Sequence, residues 1–372
     1  MNRMKKIKNH SNLLWILGIY LVLGMSMLFL PEYTYRQKIV PFLWNSCILI
    51  LLSTSLNLMI GYLGQLVIGH CGFMAVGAYS SALTTAALVR SGILCGDSFI
   101  QLLIRFMIGI VVGGLMAALL GILIGVPTLR LKDDYLAIIT LGFGIIICNI
   151  INLIPFAGGK GLLEGTPSAT LYAEGNGLGF SSREKVYMVA IILFVTICSV
   201  IIMDRVVKSK YGRYMRAIRE DEAAANASGI HVIKIKIQTF VISSLFAGIA
   251  GVIYSSGMKT LSTSDFQFTN GSIINSTFIV VMVVIGGMAS LKGSIVASIV
   301  MLLLNNWIKN ICSYPMLVYA ILLIIVIMFW PKGLFGDPER NITTIFKRRK
   351  VNERQKESTK QMSVQSTEER GQ

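Results

Sequence analysis

The residues best placed to do chemistry lie in one charged stretch. Positions 205–237 read RVVKSKYGRYMRAIREDEAAANASGIHVIKIKI, with eight Lys or Arg residues around an acidic knot at Glu220, Asp221 and Glu222. Both signs of charge on a short segment suit contact with another protein, but no catalytic constellation is present. A phosphate-binding loop needs a Ser or Thr after its lysine, and Gly158-Gly159-Lys160-Gly161 has none. Gly175, Gly177 and Gly179 lie in a loop and do not open a helix as a dinucleotide fingerprint must. There is no His-Glu-x-x-His pattern, no metal-type cysteine spacing and no pair of carboxylates within an apolar run. The chain is expected to carry no metal or cofactor and to hydrolyse nothing by itself.

The elements that position this stretch are apolar. Of 372 residues, 54% are hydrophobic and only 14% charged, where a soluble domain carries about a quarter charged. A bilayer-spanning helix needs about 20 mostly apolar residues. Such runs recur near 12–30, 41–60, 66–89, 102–126, 135–154, 186–204, 237–258, 277–291, 293–311 and 316–330. The expected fold is all-α, a polytopic bundle of about ten transmembrane helices. Residues 1–340 form the membrane domain, 205–236 a cytoplasmic loop, 155–185 an outer loop, and 341–372 a polar cytoplasmic tail without a packed core.

The net charge of +16 raises nucleic acid as a partner, and its placement answers. With ten spans and a cytoplasmic N-terminus, 25 of the 34 basic residues fall on the cytoplasmic side, as the positive-inside rule requires. They sit in separate loops without interleaved aromatics, so the expected contact is anionic lipid and not nucleic acid. The first run follows Arg3, Lys5 and Lys6 and lacks a small-x-small cleavage site, which reads as a retained signal anchor. Cys47, Cys71, Cys148 and Cys198 fall in spans as expected free thiols; Cys95 and Cys312 sit in outer loops, leaving room for one disulfide.

Inside the membrane, polar groups are rare. Arg105 and Asp204 lie near span ends, and His70 is the candidate deep in a span. Without embedded acid or histidine relays, self-powered proton coupling is disfavoured. The fourth span carries Gly109, Gly113, Ala117, Gly121 and Gly125 at four-residue spacing. That stripe lets a neighbouring backbone approach closely, in the bundle or at a subunit interface; a bare-backbone substrate path is the other reading. Gly61 and Gly64 precede the third span, and Gly286, Gly287 and Gly293 form a second break. Interrupted helices at membrane depth line protein or water and mark many transport sites.

Arg213 to Ala227 can form one amphipathic helix of about four turns, stopped by Gly229. A plain basic loop obeying the charge rule is the bland reading. Small residues at the helix centre favour docking in a partner's groove, with the acidic knot meeting that partner's bases.

Here the chain resembles a family. EAAANASGI at 222–230, preceded by RAIRED at 216–221, is similar to the "EAA" loop of permease subunits in bacterial ABC importers, above all the branched-chain amino acid permeases of the LivM type. LNLMIGYLGQ at 56–65 with Gly69 and His70, LRLKDDYLAIITLGFG at 129–144, GGKGL at 158–162 and VIGGMASLKG at 284–293 match in the same order, over about residues 45–335. Lys160 and Glu164 depart from the uncharged insertion of relatives, and the tail after Arg340 matches no family motif. The resemblance implies the ABC importer permease fold in a bacterial cytoplasmic membrane, with both termini cytoplasmic. It implies a homologous second permease, two ATP-binding subunits that hold the ATP and Mg, and an extracytoplasmic substrate-binding protein. Glu222, Ala223, Ala224 and Gly229, with Arg219, Glu220 and Asp221 just before them, would couple to the ATPase. Asn57, Gln65, Gly69, His70, Thr140, Gly142 and Gly144 would flank the translocation path, although an ordinary hydrogen-bonded interior histidine fits His70 as well. The implied function is ATP-driven, alternating-access import of branched-chain amino acids. Relatives also serve urea, amides and nucleosides, and a stand-alone ion-coupled carrier or channel is the alternative from another class.

Overall fold

The structure, a computed structural model, describes residues 33–92, 99–129, 133–153, 182–258, 261–266 and 275–311, with isolated helical positions at 318, 321, 324 and 328. All regular elements among the described residues are helical. In chain order they are α1 (Tyr33–Asn57), a π-helical segment (Leu58–Leu63), α2 (His70–Arg90), α3 (Phe99–Thr128) and α4 (Asp133–Leu153). Then come α5 (Ser182–Lys208), α6 (Lys210–Glu220), α7 (Glu222–Ala227), α8 (Val232–Gly257), a 3-10 turn (Thr263–Phe266), α9 (Ser276–Gly286) and α10 (Leu291–Ile311). The expected span at 12–30, Cys95, Cys312, residues 155–181 with Lys160 and Glu164, most of the span at 316–330 and the tail 341–372 lie outside the described residues.

Among the described residues six helices are long and apolar enough to cross a membrane, within Ile39–Leu63, His70–Val89, Ile100–Thr128, Tyr135–Leu153, Met188–Lys208 and Val232–Gly257. The expected span at 277–291 is corrected to a half-helix. At 11 residues, α9 rises about 16 Å, roughly half the ~30 Å hydrocarbon core. It stops because Gly287 and Ala289 both take positive φ, at 106° and 67°, a backbone that no helix continues through.

The bundle is built around α8, which is buried along most of its length. The small-residue stripe on α3 explains how. A β-carbon added at Gly113 would overlap Val252 on α8 and stand 2.8 Å from the Gly77 carbonyl oxygen on α2. One added at Gly248 on α8 would overlap Ala117 and stand 2.8 Å from the Gly113 carbonyl oxygen. Three helix backbones therefore touch where small residues meet, because lipid gives no hydrophobic push and close van der Waals contact must hold the helices together. The stripe is an interior contact of this chain; neither the subunit-interface nor the substrate-path reading describes it. The opposite face of α3 presents Val111, Leu115, Leu119 and Leu123 outward, as an apolar solvent demands.

Polar groups tie the remaining helices to this centre. Trp44 Nε1 on α1 donates to the Ile253 carbonyl of α8 at 3.0 Å. The Ser53 and Ser298 hydroxyls meet at 2.6 Å between α1 and α10, and Ser243 on α8 donates to the Ser55 carbonyl at 2.7 Å.

Candidate functional site

At the end of α1 the α-helical ladder loosens into the π segment, and Gly64 closes it at φ 85°. Only glycine adopts that left-handed conformation without a side-chain penalty. Residues 64–68 then run non-helically, with Gln65 and Val67 buried and Leu66 exposed, before α2 begins at His70. Such backbone cannot satisfy itself inside a membrane, so neighbouring helices must supply partners. The Ile68 N–H donates to Thr140 Oγ1 on α4 at 3.3 Å, and the Cys71 N–H donates to Ser276 Oγ at the start of α9 at 3.3 Å.

Between these elements lies a cavity of about 390 Å³. Ile68, Gly69 and Gly72 form one wall, and Leu141, Gly144, Ile145, Cys148 and Asn149 of α4 form a second. Phe266 and Ser276 complete it. Phe266 is held edge-on to Tyr254 and Tyr79, with ring centroids 5.4 and 6.1 Å away. The lining is apolar apart from the Ser276 hydroxyl, the Asn149 amide and backbone groups, a composition common in small-molecule sites.

The seven residues expected beside a path divide. Gly69 and Gly144 line the cavity, and a β-carbon at Gly144 would stand 3.3 Å from Gly69 Cα, so the two glycines set the gap between the walls. Thr140 stands behind the wall: it accepts from Ile68 and donates to the Ala137 carbonyl at 3.0 Å. Gly142 meets open space on a half-buried face of α4. His70 is fully interior, with Nε2 2.8 Å from Ser55 Oγ, and Gln65 is buried between the elements. Asn57 does something else. Its Nδ2 donates to the Ser290 carbonyl at 3.1 Å and to Ser294 Oγ at 2.8 Å, while Oδ1 accepts from the Ala289 N–H at 3.2 Å. The two glycine-marked breaks, far apart in sequence, are thus fastened to each other through one amide. Asn149, Cys148, Phe266 and Ser276 were not expected at a site from the sequence, where Cys148 was read only as a free thiol. Asn149 carried a readable signal, as an amide inside an apolar run. The other three join the cavity only through packing.

The charged stretch folds as two helices and not the single one expected over 213–227. Asp221 leaves helical geometry (φ −159°, ψ 114°) and its carboxylate accepts from the Ala224 N–H at 3.0 Å, capping α7. An aspartate at a helix start satisfies a donor with no partner in its own helix, which here outweighs continuity. Gly229, at φ 82°, ends α7, with the Ile230 N–H returning to the Ala225 carbonyl at 3.1 Å. Met215, Ile218 and Ala225 face the bundle, while Ala223, Ala224 and Ala227 are exposed.

Side chains expected to reach another subunit are partly engaged within the chain. Glu222 meets Lys236 of α8 at 2.7 Å; the lysine side chain is 4% exposed and the glutamate 55%. Arg219 Nη1 donates to the Gly61 carbonyl at 2.5 Å. Arg216 lies over the Tyr62 ring with its guanidinium carbon 5.8 Å from the centroid. Glu220 remains on the exposed face. Nearby, Asp204 and Lys208 pair at the end of α5. Among the described residues no group of three or more potential metal ligands exists.

The chain is similar in sequence to known transport permeases. The model for the family described as "Branched-chain amino acid transport system / permease component" matches residues 39–329. The chain is 33% identical to the high-affinity branched-chain amino acid transport system permease protein LivM of Escherichia coli, over 77% of this chain and 67% of the relative. It is 26% identical to the probable branched-chain amino acid transport permease protein LivM of Methanocaldococcus jannaschii, over 75% and 78%. It is 24% identical to the E. coli permease protein LivH of the same named system, over 78% and 91%. No solved structure matches the chain.

Proposed function

The chain belongs to the family of branched-chain amino acid transport permease components, and from that premise we propose that it is the membrane-spanning subunit of an ATP-driven importer for branched-chain amino acids. The observation that carries the substrate class is the cavity. Ile68, Leu141, Ile145 and Phe266 offer an apolar lining for a branched aliphatic side chain, and Ser276, Asn149 and the non-helical backbone offer polar groups for the amino and carboxyl ends. A cavity walled by an interrupted helix also suits a gate, since few backbone hydrogen bonds must break for its wall to move.

The partners follow from unpartnered surfaces and from the relatives. LivM and LivH of E. coli are both named permease proteins of one system, which supports a homologous second permease here. The exposed face of α4, with Ile138, Ile145, Asn149 and Ile150, is the place for it, so that the cavity opens between the two. The exposed Ala223, Ala224 and Ala227 face of α7 suits one of two ATP-binding subunits, which carry the ATP and Mg. An extracytoplasmic binding protein delivers the substrate. The chain lies in a bacterial inner membrane with both termini cytoplasmic, placing α6 and α7 on the ATPase side.

The test is uptake of labelled leucine, isoleucine and valine by vesicles holding the complete complex. Accumulation should require both ATP and this chain, and the chain reconstituted alone should be inert. Robust accumulation by the chain alone would refute the reading.

A further inference from the structure

We propose that Arg219 is a positioning residue that fastens α6 to the first helix interruption and, through the Asn57 amide, to the second, so that displacement of α6 moves two walls of the cavity together; this rests on the function proposed above. The π segment ends at Gly64, and Arg219 Nη1 donates to the Gly61 carbonyl in its last turn at 2.5 Å. Its stem lies against Gly64, where an added β-carbon would stand 2.8 Å from Arg219 Cγ. A cation at a helix C-terminus is favoured by the helix dipole as well as by the hydrogen bond, and an arginine fork holds direction better than a lysine.

From Gly61 two connections run to the cavity. Along the chain, Gly64 leads through four residues to Gly69, which is part of the wall. Across space, Gly61 sits against Asn57 and Ala289, and Asn57 binds Ala289, Ser290 and Ser294 at the second break. That break is the end of α9, and α9 is a short rigid rod whose other end, Ser276, lines the cavity and holds the Cys71 N–H. The first route is a short non-helical stretch of chain and the second a glycine contact followed by the hydrogen bonds of the Asn57 amide, connections short enough to pass on a small shift.

Cys148 provides the reporter, because it lines the cavity and makes no contact with Arg219 in the routes described. The other five cysteines of the six are replaced, and a small methanethiosulfonate reagent labels Cys148 in membranes carrying the complete transporter, with and without ATP. In the native background ATP should change the labelling rate by about tenfold, as expected when nucleotide shifts the population of two states. In Arg219→Gln and Arg219→Lys the rate should no longer depend on ATP, while ATP is still hydrolysed. A merely structural role would lower the amount of protein and leave that ratio intact. An unchanged ratio in either variant overturns the inference. Loss of ATPase co-purification in both variants also overturns it, because Arg219 would then belong to the subunit contact. Absence of any ATP effect in the native background overturns the proposed function, and the inference with it.

Discussion

Two neighbouring glycines on α3 give a matched test of the helix interlock. Gly113→Ala and Gly114→Ala make the same change, one residue apart, in the same helix. Each gains about 1 kcal/mol of intrinsic helix propensity, so that term cancels between them. Their surroundings differ. The new methyl at Gly113 would overlap Val252 and stand 2.8 Å from the Gly77 carbonyl oxygen, which is backbone and cannot rotate away. The new methyl at Gly114 meets Ile249 Cγ1 at 3.4 Å, with Leu245 Cγ and Ile249 Cδ1 at 3.8 and 3.9 Å, all side-chain atoms in or near ordinary contact. Overpacking of a tight interface costs about 1–3 kcal/mol, so the two variants should differ by about 2 kcal/mol. For a chain of this size that separates their melting temperatures by roughly 3 °C, with Gly113→Ala the less stable. Thermal unfolding of the detergent-solubilised complex, followed by fluorescence-detected size exclusion, reads this directly. Equal melting of the two variants would refute the interlock of α2, α3 and α8.

Two further predictions concern the site. Glu222→Lys should abolish uptake, because it sets a second cation against Lys236, whose side chain is only 4% exposed, and an uncompensated buried charge costs about 3–5 kcal/mol. The double exchange with Lys236→Glu should restore much of the uptake if Glu222 works through that pair, whereas no recovery would assign Glu222 to the ATPase contact. Leu141→Trp should fill part of the cavity of about 390 Å³ and stop uptake while membrane levels hold; transport at the native rate would remove the cavity from the path.

The same residues show how far a linear reading reaches. Apolar runs of bilayer length are a local property, so α1 to α5, α8 and α10 were legible, and α9 was misjudged only in length. Its end at Gly286 and Gly287 depends on backbone dihedrals that a hydropathy window averages away. The stripe from Gly109 to Gly125 announced a close contact but could not name the partner, since α8 offers its own Gly248 from far along the chain. At the site, Gly69 and Gly144 were legible as motif glycines, and the cavity between them was not. Asn57 was expected beside the path because it falls on a motif span of the family the chain resembles. Its partners Ala289, Ser290 and Ser294 lie more than two hundred residues away, and only they reveal a clasp.

Composition and periodicity determined that this is a multi-pass helical membrane protein, because every span must satisfy its own backbone in lipid and therefore writes its length and polarity locally. Motif order pointed to the permease family for a related reason: its glycines and charges mark chain interruptions that are themselves local. Tertiary structure alone decided where those interruptions meet, that Asp221 splits the charged helix, and that Arg219 and Glu222 turn inward to Gly61 and Lys236. Such pairings depend on which distant backbone comes within hydrogen-bond reach, a short-range condition that packing sets.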